Sequence, residues 1–166
     1  MRTTWRWPRD HDEGDLIVSE MDEVIPALVA AVQEQHATGD HYRDDAIRQA
    51  MEHQAQLALR PGPVRVDVIV DPPWSDGQIN SVQVVTGDRP FLVDTVVSCL
   101  LRHGWRVEDV RHPIIGVKRD RGTIEAVGTP GRGGCASESW IHIDVTAPLG
   151  TDIGQAAEQL RDDLCA

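Results

Sequence analysis

The sequence predicts an α+β fold, an antiparallel sheet with two helices on one face, preceded by an N-terminal helical hairpin. From residue 79 onward, strand-like and helix-like stretches follow in the order β-α-β-β-α. That order is the ferredoxin-like, split βαβ pattern without its final strand. Residues 64–70 alternate apolar and polar side chains, as an antiparallel strand with one buried face does. We expect this earlier strand to pair beside the strand from residue 79 and to take the missing edge position.

The stretch of residues 79–103 is the best-defined unit, a strand, a tight turn and an amphipathic helix. Its start is rich in valine, which favours a strand. Gly87 is expected to adopt backbone angles closed to other residues, Asp88 to cap the helix, and Pro90 to fit in its first turn. One stripe recurs at helical spacing: Leu92, Val96, Cys99, Leu100 and His103. Gly104 then follows as a C′ glycine.

The chain divides into three parts. Residues 1–18 are polar and expected to be flexible, residues 19–60 are expected to form a helical hairpin, and residues 64–166 the α+β domain with strand 64–70 at its sheet edge. Pro26 interrupts the apolar pattern of the first helix and should kink it or mark its regular start. The second helix is expected over residues 44–59.

The last part of the domain reads as strands followed by a helix. A long strand is expected over residues 105–119, with Pro113 marking an edge or a bulge because proline cannot donate a ladder hydrogen bond. A short strand over residues 123–127 and a longer one over 137–146 follow. Thr151 is a candidate cap for the final helix.

Composition excludes several classes of function. The chain has 166 residues and a formal net charge of −11, which argues against binding to nucleic acid or to an anionic membrane surface. The sequence lacks a transmembrane run and a signal-peptide core. Three scattered cysteines do not form a disulfide pattern, so a cytoplasmic location is expected.

Two patterns that could suggest a phosphate-binding or metal site are better explained by structural roles of the residues. The glycine-rich loop of residues 128–134 lacks the Walker spacing and leads into a strand, so phosphate binding is not expected. Cys99 and His103 are four residues apart on a helix, but without a second pair of ligands we favour packing against the sheet and expect no metal.

Histidines and serines of the later strands leave one question open. His112 and His142 are expected on neighbouring strands, where they could face each other, or one of them could bond Asp144 or Asp109. A structural hydrogen bond is favoured over a pH-sensitive or ligand site. Ser137 and Ser139 lack a nucleophile elbow, so we expect no hydrolase and no catalytic residues.

Three ordered motifs resemble one protein family. Residues 84–96, VVTGDRPFLVDTV, resemble the "DxPFLVDSV" segment near the N-terminus of the large NAD-specific glutamate dehydrogenases of bacteria. Residues 110–115, VRHPII, resemble the family's "VIHPVV" strand, and residues 138–144, ESWIHID, its "ESWMHIEI" strand. In that family the segment lies in an ACT-like regulatory domain, and ACT domains have the ferredoxin-like architecture that the pattern predicts.

The resemblance implies a function for the whole parent protein. The parent would convert L-glutamate and NAD to 2-oxoglutarate, ammonium and NADH, with its catalytic domain far downstream. NAD would bind there, because this chain has no G-x-G-x-x-G fingerprint. The pattern stops before a fourth strand, which favours a segment of a longer chain. Its partners would be other domains of the parent and further copies of itself.

The resemblance also implies a binding site for an amino-acid effector. In ACT domains the strand-to-helix loop binds such effectors, usually against a second ACT domain. The equivalent residues here are Thr86, Gly87, Asp88, Arg89 and Pro90. Backbone N–H groups at a helix N-terminus favour a carboxylate, although the charge of Asp88 opposes one. The alternatives are a stand-alone ACT-like amino-acid-binding protein and a purely structural oligomerisation module.

Overall fold

The computed structural model of the chain describes residues 16–17, 21–35 and 44–166. Most of the predicted flexible N-terminus and the connection inside the predicted hairpin, residues 36–43, therefore lie outside the described residues. In the described part of the chain, every helix is too short or too polar to cross a bilayer.

The described chain forms four helices and seven strand segments, as expected for an α+β fold. In chain order they are β1 (Leu16–Ile17), α1 (Met21–Gln35), α2 (Asp44–Ala58), β2 (Val64–Ile69), β3 (Asn80–Gly87), α3 (Leu92–Arg102), β4 (Arg106–Arg111), β5 (Ile114–Asp120), β6 (Thr123–Gly128), β7 (Ala136–Thr146) and α4 (Ile153–Cys165).

The strands form one antiparallel sheet centred on β7. One side of β7 pairs with β3, and the other pairs with β5 and then β4 along its length. The sheet order is β1-β6-β5-β7-β3-β2, with β4 also beside β7. The ferredoxin-like arrangement of β3, α3, β4–β5, β7 and α4 is therefore confirmed.

Strand β2 occupies the sheet edge where the ferredoxin-like pattern has its fourth strand. It runs antiparallel to β3, from Val64 opposite Thr86 to Ile69 opposite Ser81. Its alternation explains this placement, because Val66 and Val68 turn into the core beneath the helices. The opposite edge extends beyond the predicted pattern, since β6 pairs with β5 and residues 16–17 pair with β6.

The predicted long strand over residues 105–119 is interrupted instead of continuous. It divides into β4 and β5 around His112 and Pro113. Pro113 cannot donate to the ladder, but its carbonyl oxygen accepts a hydrogen bond from the Trp140 N–H at 3.0 Å. A further register shift lies between Val107 and Asp109. The predicted irregularity at Pro113 is thus confirmed, and the chain resumes strand structure as β5 after the proline.

Helices cover both faces of the sheet. On one face α3 and α4 pack on aliphatic side chains of β2, β3 and β7: Val66, Val68, Val82, Val84, Ile141, Ile143 and Val145. On the other face α1 and α2 pack on a second core that includes Val85, Ile115, Val117 and Trp140. The prediction of two helices on one face is confirmed, and the N-terminal helices cover the face behind them.

Two helix ends test the capping predictions. Gly104 has a φ of 81° directly after the C-cap of α3, as expected for a C′ glycine. The cap of α4 is Asp152, not Thr151. Asp152 Oδ1 accepts from the Gln155 N–H at 2.9 Å, while the Thr151 hydroxyl faces the Pro148 carbonyl at 3.3 Å. Both residue types cap helices well, so the local sequence did not distinguish them.

Candidate functional site

The predicted effector-binding residues lie at the exposed end of β3 and in the turn before α3. Thr86 is buried, and its hydroxyl donates to the Pro63 carbonyl at 3.1 Å. The next residues, 87–91, are exposed. Gly87 is part of β3, opposite Glu138, and does not have a positive φ. The expectation that Gly87 uses a conformation closed to other residues was therefore wrong.

Asp88 ties the turn to β7 instead of capping α3. Its carboxylate accepts a hydrogen bond from the Ser139 hydroxyl at 2.6 Å, and its N–H donates to the Ser137 carbonyl at 2.9 Å. The N-cap position is held by Phe91, whose side chain has no acceptor, and Pro90 precedes the helix. The capping prediction for Asp88 failed because a partner from a distant strand takes its carboxylate.

Asp88, Ser139 and His112 form a chain of hydrogen bonds. His112 Nε2 lies 2.9 Å from the Ser139 hydroxyl oxygen, which in turn donates to Asp88. Each residue belongs to a different one of the three sequence motifs. The serine sits between the acid and the histidine and is fully buried, whereas in a hydrolytic triad the histidine sits between the acid and an exposed serine. The arrangement fixes the turn, and it offers no nucleophile.

Phe91 is the most unusual residue of the turn. Its φ is 63°, in the left-handed region, and its side chain is 78% exposed. A left-handed conformation costs a residue with a Cβ about 1–2 kcal/mol. Its carbonyl oxygen accepts from both the Thr95 N–H and the Thr95 hydroxyl at 2.9 Å. Strained backbone held in place by its surroundings is typical of binding sites, although no sequence signal indicated it.

A pocket of about 540 Å³ lies beside the turn, within the usual range for small-molecule sites. The ends of β2, β3 and α4 and one side of α3 form its wall. Polar groups of the wall are Thr86, Arg89, Asp94, Thr95, Ser98, Arg102 and Asp163. Of the five predicted effector-binding residues, the pocket brings together Thr86 and Arg89, while Gly87, Asp88 and Pro90 lie outside its wall.

Next to this pocket, α3 and α4 bring three candidate ligand side chains together. His103 Nε2 lies 2.7 Å from Asp163 Oδ2. Together with the thiol of Cys99, one ligand atom from each residue lies within 4.8 Å of the other two. The sequence pattern indicated the Cys99–His103 pair, but Asp163 lies 60 positions further on. Its proximity depends on how α4 packs against α3.

One family model matches residues 27–164, and its description is the ACT1 domain of glutamate dehydrogenase. That match covers most of the chain. The chain belongs to this family. The family resemblance of the three motifs is thereby confirmed, and the convergence of Asp88, His112 and Ser139 shows how they meet in the ACT1 fold. No solved structure matches the chain.

The opposite face of this ACT1 domain carries a buried polar network centred on His142. Gln83 Nε2 lies 3.0 Å from His142 Nδ1 and donates to the Ala50 carbonyl at 2.9 Å. His142 Nε2 lies 3.0 Å from Asp144 Oδ1. Because the Gln83 amide is a donor, His142 Nδ1 must accept, and the proton sits on Nε2 facing Asp144. A neutral imidazole satisfies all of these contacts.

Electrostatics agree with a neutral His142. Burial lowers the pKa of His142 below its usual value, the hydrogen bond to Asp144 opposes that effect, and the charge of Arg111 adds to the lowering. Arg111 Nη2 lies 3.9 Å from Asp144 Oδ2. A structural hydrogen bond to Asp144, the favoured interpretation of the sequence, is confirmed for His142.

The network also fastens α2 to the sheet. Gln54 Nε2 donates to the Ile141 carbonyl at 3.0 Å, and His53 Nδ1 lies 2.8 Å from Gln83 Oε1. The Trp74 ring packs against His53 with 5.3 Å between centroids, and its N–H donates to the Ser81 hydroxyl at 3.0 Å. Because hydrogen bonds are directional, these contacts fix the position of α2 on the sheet more strictly than apolar packing alone would.

The third motif contributes one further ion pair. Glu138 accepts two hydrogen bonds from Arg119, at 2.6 and 3.2 Å, in the bidentate geometry that favours arginine. The indole Nε1–H of Trp140 also donates to Glu138, at 3.2 Å. Burial lowers the pKa of Arg65, and the neighbouring Arg119 adds to this. Glu138 and Trp140 of the motif are thus structural residues on the α1/α2 face.

Proposed function

We propose that this chain is a non-catalytic regulatory or assembly segment of a large NAD-specific glutamate dehydrogenase. The parent enzyme would convert L-glutamate and NAD to 2-oxoglutarate, ammonium and NADH. Membership of the ACT1 family of glutamate dehydrogenase is the observation that carries this proposal. The absence of a nucleophile at Ser139 and the structural roles of His142 and Glu138 support a non-catalytic role for the segment.

Two features of the described residues support an NAD site outside this segment. The glycine-rich loop around residues 128–134 connects β6 to β7, so it does not place a helix N-terminus toward a pyrophosphate. The turn between β3 and α3 lacks the glycine spacing of dinucleotide sites and carries Asp88 and the exposed Phe91. We therefore propose that NAD binds in another domain of the parent enzyme.

The pocket beside the turn is our candidate for an amino-acid effector site. An amino acid carries a carboxylate and an ammonium group on one carbon, and the wall offers both complements. Arg89 and Arg102 are available to the carboxylate, and Asp94 and Asp163 to the ammonium group. Valine and leucine side chains of the wall would contact the effector's side chain. We therefore propose that the effector binds in the pocket lined by Arg89 and not in the turn itself.

The first experiment is a melting series of this chain with each of the common amino acids. A ligand that binds only the folded state raises its melting temperature. We expect at least one amino acid to raise it, and Arg89→Ala to abolish the shift. Arg132→Ala, a matched change at an exposed arginine outside the pocket, should keep it. If no amino acid shifts the melt, the effector role is wrong and an assembly role remains.

Assembly is supported by the position of β2 at the end of the sheet. β2 ends the strand order among the described residues, and an unpaired strand edge is a template for pairing with another chain. We propose that the chain self-associates and contacts further domains of its parent. A cytoplasmic location fits the free thiols of Cys99 and Cys165. Sedimentation equilibrium should give a mass above that of one chain, and a purely monomeric result would contradict self-association.

A further inference from the structure

Three side chains at the contact between α3 and α4 have the chemistry of a zinc site. Cys99 lies in the last turn of α3 and His103, four residues on, is the C-cap residue of that helix, so the two side chains lie near each other at its C-terminal end. Asp163 on α4 faces them, with Oδ2 at 2.7 Å from His103 Nε2. A thiolate, an imidazole and a carboxylate are the three ligand types that Zn²⁺ prefers in proteins.

The distances suit a tetrahedral metal. One ligand atom from each of Cys99, His103 and Asp163 lies within 4.8 Å of the other two. Zinc–nitrogen and zinc–oxygen bonds near 2.1 Å separate such ligand atoms by about 3.4 Å in a tetrahedron. His103 Nε2 and Asp163 Oδ2, now 2.7 Å apart, would therefore move apart slightly.

The surroundings hold these ligands in place and leave them accessible. Cys99 is buried in the core that α3 and α4 share, and Leu160 fixes α4 from the same core. Backbone positions of the ligands are thus set before any ion arrives, which lowers the cost of binding. Cys99 and Asp163 also line the 540 Å³ pocket, so an ion can enter from that side. The chain's net charge of −11 favours a cation generally.

We propose that Cys99, His103 and Asp163 bind one Zn²⁺ ion between α3 and α4. A thiolate, a carboxylate and a neutral imidazole would balance the charge of the ion. Three protein ligands leave one coordination position for water or a small ligand, and the adjoining pocket gives such a ligand access. A simple hydrogen bond between His103 and Asp163, with Cys99 as a core residue, is the alternative that the experiment must exclude.

Cobalt titration of the metal-free chain in a non-thiol reductant tests this proposal. Co²⁺ replaces Zn²⁺ in such sites, and a bound thiolate gives it a charge-transfer absorption band. We expect saturation at one equivalent, displacement of cobalt by Zn²⁺ and a higher melting temperature with Zn²⁺. The affinity for metal should fall as the pH is lowered, because the thiol and the imidazole must lose protons to bind the ion.

Four variants decide which residues hold the ion. Cys99→Ala should remove the charge-transfer band, and His103→Ala and Asp163→Asn should each weaken binding at least about tenfold. The latter two positions are partly or fully exposed, so these variants test the site even if Cys99→Ala fails to fold. Cys165→Ser, which removes the exposed thiol near the end of α4, should bind as the unchanged chain does.

Three results would overturn the proposal. The first is no saturable binding of either metal. The second is binding that His103→Ala and Asp163→Asn leave unchanged. The third is loss of binding in Cys165→Ser, because an adventitious site at the exposed thiol would then explain the signal. The amino-acid effector is tested separately, with Arg89→Ala and without metal, because Asp163 lines the effector pocket as well as the metal site.

Discussion

The face of the sheet beneath α3 and α4 is filled by aliphatic side chains, whereas part of the face beneath α2 holds connected polar groups. Strand alternation produces this difference: Val82 and Val84 point to one side of β3, and Ser81 and Gln83 to the other. The apolar face is stabilised by filled volume. The polar face depends on directed hydrogen bonds, which fix where α2 lies. The two faces should therefore respond differently to substitution.

The largest effect is expected on the apolar face. Leu100→Ala removes a fully buried side chain of α3 and should lower the free energy of unfolding by about 2–5 kcal/mol, through lost burial and a residual cavity. The neighbouring Leu101 is 59% exposed, so Leu101→Ala should change it by less than about 0.5 kcal/mol. Urea unfolding measures both. Equal losses would contradict the assignment of this core.

On the polar face, removing one charge should lower the free energy of unfolding somewhat less than Leu100→Ala does. Asp144→Asn keeps the shape of a buried side chain but weakens its contacts with His142 and Arg111. Because those partners stay buried, we expect a loss of about 1–3 kcal/mol. Asp109 lies opposite Asp144 on β4 and is exposed, so Asp109→Asn is the matched control and should change little. If Asp144→Asn leaves the free energy of unfolding unchanged, the network contributes no net stability.

A pH series distinguishes the two faces without changing their volume. Burial lowers the pKa of His142 in the folded chain, so the unfolded chain binds the proton more readily. Stability is then at its full value above the unfolded pKa of about 6.5 and falls as pH drops below it. Protonation would also break the bond in which His142 Nδ1 accepts from Gln83.

His142→Gln should remove this part of the pH dependence. The exposed His112 offers a matched change, and the loss of stability toward acid should persist in His112→Gln because His142 is still present. Unfolding in urea between pH 5 and pH 8 gives both curves. If His142→Gln retains the full acid-dependent loss, the network does not hold a neutral histidine.

The smallest effect is expected at the turn above the apolar face. Phe91→Gly relieves a left-handed φ worth about 1–2 kcal/mol, and the extra freedom of glycine in the unfolded chain offsets about 0.5–1 kcal/mol of that. A net gain of about 0.5–1 kcal/mol should remain. Phe91→Ala removes the exposed ring but keeps the strained Cβ, so it should not stabilise. A gain in Phe91→Ala equal to that in Phe91→Gly would show that the ring, not the backbone, is the source of strain.

Local sequence patterns predicted the helices and strands of the fold, but they did not predict the contacts between residues that are distant in the sequence. The alternation of residues 64–70 predicted a strand, the missing fourth strand of the pattern placed that strand at the sheet edge, and Gly104 marked the end of α3. The partner of Asp88 is Ser139, 51 positions away, so the sequence suggested the nearer role of a helix cap. Asp163 joins Cys99 and His103 for the same reason, since only the packing of α4 on α3 brings it there.

The size of the native polypeptide that carries this sequence tests the proposed function most directly. Blotting of cell extract with an antibody to the chain measures that size. The proposed function predicts one polypeptide much longer than 166 residues, whose immunoprecipitate reduces NAD when given L-glutamate. A polypeptide of about this length without that activity would contradict it, and the chain would then be a stand-alone ACT1 module.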